Sequence, residues 1–180
     1  EVGPSVVEIS PDDATVRYEP VTSFEVTFNE AIDLASFTHA DLTLTHNGSP
    51  VPLDASITIA HVEGTTYRID GLTPFTQELG DYSLTVQALN ILGPTGLQGM
   101  GSHVQAWTHT VPLTVTATTP SLEDGTAPQG LTSLDLHFSV PAEGADQAAH
   151  YELRRAGADG LLGTADDPLV PLTASYNDTT

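Results

Sequence analysis

The chain has 180 residues, with 4 Lys+Arg against 24 Asp+Glu, and so a formal net charge of −20. There is no cysteine and no lysine; the cations are Arg17, Arg68, Arg154 and Arg155. These counts exclude a disulfide framework, a zinc–thiolate site, a cysteine nucleophile, Schiff-base chemistry and a lysine crosslink, and the charge opposes nucleic acid and anionic lipid while suiting cations.

In chain order, short runs of alternating apolar and polar residues, bounded by turn formers, predict half-buried strands. The first four are Ser5–Ile9, Thr15–Tyr18, Ser23–Phe28 and Asp41–His46. Four more follow at Ser56–Val62, Thr65–Asp70, Gly80–Ala88 and His103–Val111. Phe24, Val26 and Phe28 share one face, and Tyr82, Leu84, Val86 and Ala88 share another. Between strands, Asp33–Ala40 reads as a helix of one or two turns capped by Asp33. Asn47-Gly48 reads as a hairpin turn, since both central positions of a type I′ turn need positive φ. Asn90–Ser102, with four glycines, reads as a loop. Trp107 is expected to pack against the sheets. Eight such strands within residues 1–111 predict an all-β, immunoglobulin-like sandwich.

An internal repeat governs the rest. Residues 21–28 (VTSFEVTF) align without gaps on 131–138 (LTSLDLHF), and 51–56 (VPLDAS) on 170–175 (VPLTAS). Leu42–Leu44 matches Tyr151–Leu153. The second copy therefore holds an insertion of about ten residues between Arg154 and Val170. The domain reading is one module over 1–111 and a second, incomplete one over 112–180. Glu143–His150 corresponds to the short helix of the first module. Measured against the first copy, the second lacks its last strands. Leu134, Leu136, Phe138, Tyr151 and Leu153 are then expected to want covering strands, from a longer chain or from another copy in a strand-exchanged dimer.

The insertion carries the best candidate for chemistry. Ala156–Asp167 holds Asp159, Asp166 and Asp167 with three glycines and no cation. Hard cations such as Ca²⁺ want six to eight oxygens from carboxylates and carbonyls, and glycines let a short loop curl so that carbonyls converge. Leu161 stands where an EF-hand would need an oxygen, so the expectation is a non-EF-hand Ca²⁺ loop, with carbonyls near Leu161 or Thr164 completing the shell. The alternative is a solvated acidic hairpin. Glu30, Asp33 and Asp41 form a weaker acidic set, read as a cap and surface residues. Asp12-Asp13 and Glu123-Asp124 are read as turn residues. The seven histidines lack ligand spacing and are expected at the surface or at strand edges. Two sequons, at Asn47 and Asn177, are of a kind that chance often produces.

The pattern Phe24-x-Val26-x-Phe28-x-Glu30-x-x-Asp33-x-x-x-Phe37-x-x-x-Asp41-Leu42-x-Leu44 resembles the bacterial Ig-like repeats of large secreted and cell-surface proteins. Tyr82-x-Leu84-x-Val86 with Trp107-Thr108 resembles their last two strands, and residues 158–167 resemble a Gly-Asp loop frequent in such modules. The resemblance implies a structural or adhesive spacer, extracellular or at the cell surface, with the other domains of a larger chain as partners. A module binding a carbohydrate or surface protein, accessory to a secreted hydrolase, is the alternative. Apolar runs are far shorter than the ~20 residues of a membrane span. No Gly-x-Ser-x-Gly, His-Glu-x-x-His or Asp-Thr-Gly occurs, and no enzyme activity is expected.

Overall fold

The structure, a computed structural model, describes residues 2–11, 15–122, 125–128 and 130–177. Asp12-Asp13 and Glu123-Asp124 therefore lie outside the described residues. The chain divides into two compact units, Glu1–Val111 and Pro112–Thr180.

Unit 1 contains β1 (Val6–Ser10), β2 (Val16–Arg17), β3 (Ser23–Phe28), β4 (Leu42–His46) and β5 (Ser49–Val51). It continues with β6 (Thr58–Glu63), β7 (Thr66–Asp70), β8 (Gly80–Gln87) and β9 (Ser102–His109). The strands form one sheet in the order β1-β3-β7-β6 and another in the order β2-β9-β8-β4-β5. In immunoglobulin lettering these are A-B-E-D and A′-G-F-C-C′, the two sheets of an Ig-like sandwich. All pairs are antiparallel except β2 on β9, which is parallel.

Side-chain alternation drives this closure. Phe24, Val26 and Phe28 point inward and are almost wholly buried, as are Leu84 and Val86 from the opposite sheet. Burying each such side chain is worth roughly 1.5–3 kcal/mol. Trp107 joins the layers. Its ring lies 5.2 Å from Phe24 and stacks on Tyr82 at 5.3 Å and 9°. Its Nε1 is buried without a hydrogen-bond partner, a cost of about 1–3 kcal/mol set against the ring's burial.

Three local features differ from expectation. The chain after Asn47-Gly48 forms a further strand, β5, paired with β4. The segment Asp33–Ala40 is not one helix but two three-residue 3-10 turns, Leu34–Ser36 and His39–Asp41. The break has two causes. Phe37 is extended (φ −100, ψ 110) so that its ring can sit edge-on to Phe28 at 5.6 Å. Thr38 and Asp41 then form a reciprocal capping box that restarts the turn. In unit 2 only Ala148–His150 of the expected short helix is helical. Third, His109 is neither a surface nor an edge residue. It shares the inward parity of Trp107, is buried, and its Nδ1 lies 3.0 Å from the Glu78 carbonyl oxygen.

The glycine-rich segment 90–102 is tied down rather than free. The amide of Gly99 donates to Ile91 O at 2.8 Å, and that of Met100 to Pro4 O at 2.8 Å. A Cβ on Gly99 would stand 2.3 Å from Ala88 O and 2.7 Å from Pro4 O. Only glycine lets the chain pass between these carbonyls, which seats the start of β1 against the β8–β9 connection.

In unit 2, β10 (Val115–Thr119) and β11 (Asp135–Phe138) pair antiparallel. Val115 faces Phe138, and the register slips before Ala117 meets His137. Val6 faces Phe28 with the same slip before Glu8 meets Thr27. The sequence repeat is thus a repeat of register and bulge. The apolar positions of unit 2 are less covered. Leu134, Leu136, Phe138, Tyr151 and Leu153 are half-buried, and the described hydrophobic core cluster draws only on unit 1.

Phe24→Ala removes the ring that touches Trp107. Urea unfolding of the full chain, followed by Trp107 fluorescence, is expected to show a loss of about 3–5 kcal/mol. Gly99→Ala is expected to cost about 1–3 kcal/mol by overpacking against two fixed carbonyls. The opposite ranking of the two variants would count against a core centred on Phe24 and Trp107.

Candidate metal centre

The acidic loop closes a hairpin-like excursion. Val170 N donates to Leu153 O at 2.8 Å and Arg155 N to Pro168 O at 3.2 Å, so the chain leaves and returns at one place. Between these points the loop reverses through Gly160 (φ 72) and Gly163 (φ 86), where a side chain would be strained. Asp159, Asp166 and Asp167 are brought together: one carboxylate oxygen from each lies within 4.8 Å of the others. Glu30, Asp33 and Asp41 are not so grouped; the acidic triplet in unit 2 is the one potential metal cluster among the described residues. Asp33 caps the first 3-10 turn by accepting from Ala35 N, and Asp41 is buried in its capping box.

Each acid in the loop has distinct surroundings. Asp167 is buried. Its Oδ1 accepts from Gly157 N at 3.0 Å, and its Oδ2 from Gly163 N at 2.6 Å and Thr164 N at 3.1 Å. Asp166 is exposed, and its Oδ2 accepts from Ala158 N at 2.7 Å while its Oδ1 accepts from the Thr164 hydroxyl at 2.7 Å. Asp159 accepts from Leu161 N at 2.9 Å through Oδ1. Loop backbone amides therefore point at the carboxylates, which offsets the mutual repulsion of three negative groups. Arg154 forms its salt bridge elsewhere and acts on the Asp167 carboxylate only through space. Its Nε pairs with Glu152, while its NH1 donates to the backbone oxygen of Asp167 at 2.9 Å.

These contacts set the acidities. The Thr164 hydroxyl, then the amides of Ala158 and Asp159, hold the Asp166 carboxyl below its ordinary value. Burial pushes Asp167 up, but the amides of Gly163, Thr164 and Gly157 outweigh it, and the net shift is downward. Both groups are anions at neutral pH. The arrangement can present carboxylate oxygens, and carbonyls at the glycine turns, to a hard cation. The residue missed by sequence reading as a side-chain contributor is Thr164. Its hydroxyl lies within 3.5 Å of acceptor oxygens on all three acids. The available signal was its place between Gly163 and the Asp166-Asp167 pair, where a hydroxyl side chain commonly bonds within its own turn.

Comparison with known proteins places the fold. The family model described as bacterial Ig-like domain matches residues 1–111, and the chain belongs to that family. No curated protein matches the sequence. Among solved structures, the N-terminal part of the bacterial S-layer protein SbsC is 17% identical with a TM-score of 0.42, covering 65% of this chain and 26% of that one. This chain thus spans about a quarter of the S-layer structure it matches. The titin M4 domain is 13% identical with a TM-score of 0.30, covering 62% of this chain and 98% of that one.

Because Asp166 and Asp167 are held below their ordinary values, the order they give the loop is complete above the unfolded carboxylate range and is lost as pH falls through the lowered values. Amide exchange at Gly157, Gly163 and Thr164 is expected to quicken in that acid window, relative to the intrinsic rate, and to be fast at neutral pH in Asp167→Ala. Unchanged protection in Asp167→Ala would remove this residue as the loop's organiser.

Proposed function

We propose that the chain is a structural spacer segment of an extracellular or cell-surface multi-repeat protein, with the other domains of that larger chain as its partners, and with a Ca²⁺-stabilised second module. The observation that carries the spacer reading is the parallel pairing of β2 with β9. Thr108 N donates to Thr15 O at 2.7 Å and Thr110 N to Arg17 O at 2.9 Å. Strand β2 lies near the start of unit 1 and β9 at its end. Tension along the chain pulls two parallel strands in opposite directions along their own axes. These hydrogen bonds are then loaded together in shear rather than opened one by one. A module strung between others is loaded in this way; a catalyst has no need of it. The repeat of register in unit 2 supports the reading of an array. No helix among the described residues is long and apolar enough to cross a membrane.

The Ca²⁺ component rests on the amide-ordered carboxylates of the acidic loop. Asp159, Asp166 and Asp167 would supply charged oxygens, and backbone carbonyls near Leu161 or Thr164 would complete the shell. Exposed loops of this kind bind in roughly the 10⁻⁴–10⁻³ M range, which suits an extracellular setting.

Two measurements test these statements separately. Under force applied at the chain ends, unit 1 is expected to resist and then release in a single step of about 350 Å, the extended length of its residues less the folded span. Gradual extension without a step would count against a load-bearing spacer. In a calcium titration, the full chain is expected to gain several degrees of thermal stability in unit 2 at a few millimolar Ca²⁺. The double variant Asp166→Ala, Asp167→Ala is expected to gain none. Equal responses would leave a solvated acidic hairpin and no metal site.

A further inference from the structure

Two tyrosines in different units make the same pair of contacts. In unit 1, Ile32 N donates to Tyr67 Oη at 3.0 Å, and the Tyr67 ring stands edge-on to Phe28 at 5.8 Å and 78°. In unit 2, Ala142 N donates to Tyr176 Oη at 3.0 Å, and the Tyr176 ring stands edge-on to Phe138 at 6.4 Å and 72°. The repeat sets Phe138 at the place of Phe28 and Ala142 at that of Ile32. It does not set Tyr176 at the place of Tyr67. Residues 170–175 (VPLTAS) align on 51–56 (VPLDAS). Leu153 and Val170, bonded at 2.8 Å, repeat the strand pair of Leu44 with Val51. Tyr176 therefore falls at the place of Ile57, on a strap, 171–176, that forms no strand. It makes the contacts of a residue that comes later in the first unit.

In unit 1 the tyrosine arrives on a strand. β7 pairs with the edge of β3 away from β1, with Ile69 opposite Phe24, Arg68 opposite Glu25 and Tyr67 opposite Val26. In unit 2, β11 pairs with β10 alone among the described residues. At the matching places stand Leu134, Asp135 and Leu136, apolar, acidic and apolar in the order of Phe24, Glu25 and Val26. Tyr67 is 3% exposed within its sheet, while Tyr176 on the strap is 37% exposed. We infer that Tyr176 is a stand-in: it holds the slot formed by Phe138 and the Ala142 amide, and yields it to a tyrosine-bearing strand that pairs antiparallel with the free edge of β11. The occupant has the chemistry of β7, with an aliphatic side chain against Leu134, a cation against Asp135 and the tyrosine against Leu136. Strand addition to an open edge supplies main-chain hydrogen bonds, and the alternate side chains supply the selectivity. Ala142 is buried, so its amide needs an acceptor in either state. One slot takes one ring, so strap and strand exclude each other. The strand comes from the larger polypeptide, and to that extent the inference rests on the multi-repeat reading above. A second copy is a poor donor. Its β7 is paired on both sides, by β3 and β6, Ile69 is wholly buried, and a net charge of −20 opposes close approach.

The test tethers the β7 sequence, residues 65–72 (TTYRIDGL), behind Thr180 of the full chain through a flexible Gly/Ser linker, which gives it a local concentration of about a millimolar. Amide exchange and aromatic NMR are read on one sample. Exchange in β11 is expected to slow about tenfold or more, the Ala142 amide to stay protected, and the Tyr176 ring signals to move to those of an exposed tyrosine. With Tyr67→Ala in the tethered strand, Tyr176 is expected to keep the slot and β11 to exchange as in the chain without a tether. Asp135→Arg is expected to weaken capture about fivefold, and Arg68→Asp in the tethered strand to restore it. In the chain without a tether, Tyr176→Ala is expected to quicken exchange at Ala142 about tenfold. Tyr176 signals and β11 exchange left unchanged by the wild-type strand overturn the inference, a readout that does not depend on any variant folding. Capture indifferent to Tyr67→Ala overturns it too, as does Ala142 exchange indifferent to Tyr176→Ala. In the untethered chain, β11 protection that grows with protein concentration overturns it in favour of a second copy. None of these failures touches the force measurement on unit 1, which tests the spacer reading by itself.

Discussion

The contact on which unit 1 depends is the meeting of Phe24 with Trp107 across the sandwich. Phe24 belongs to β3, at the centre of one sheet, and Trp107 to β9, on the other. Trp107 also stacks on Tyr82 of β8, and Arg17 on β2 lies over the Phe24 ring with its guanidinium carbon 5.5 Å from the centroid. Four strands from both layers thus converge on one aromatic group. Removing water from these faces is the dominant favourable term, and it fixes register as well. A one-residue slip of β3 would turn Phe24, Val26 and Phe28 to solvent and Glu25 and Thr27 to the core.

Unit 2 shows what the same strand pattern gives without that convergence. β10 and β11 reproduce the register and bulge of β1 and β3, yet Leu136 and Phe138 remain half-buried. Polar contacts carry more of the local order here. Tyr151 Oη donates to Ala145 O at 2.7 Å, and Asp167 gathers three backbone amides around its carboxylate. This is also the unit that holds the acidic loop, and a cation there would add order where the apolar contribution is smallest.

Much of the fold was legible because a period-2 pattern is a direct statement of which side chains face inward. Ser23–Phe28 reads as a strand and is one, residue for residue. Trp107 reads as a packing residue and is buried. The short helix misread because the burial of Phe37 is a tertiary choice to which local propensity yields. The capping box at Thr38 and Asp41 is a local Thr-x-x-Asp signal that the sequence carried and the reading passed over. His109 misread because histidine composition suggests a surface, whereas its parity with Trp107 on β9 already placed it inward. At the acidic loop, spacing showed that three carboxylates lie close in the chain, and the structure brings them together. Their division of labour was not legible, since it depends on which amides each oxygen meets.

The central claim is that the stability of this chain is concentrated in the aromatic core of unit 1, with unit 2 ordered more by polar contacts. Native-state hydrogen exchange of the full chain tests it most directly, because it reports opening free energy residue by residue. The account predicts the slowest exchange in β3, β7, β8 and β9, and exchange at least a hundredfold faster in β10 and β11 without added Ca²⁺. Equal protection of β3 and β11 would contradict it.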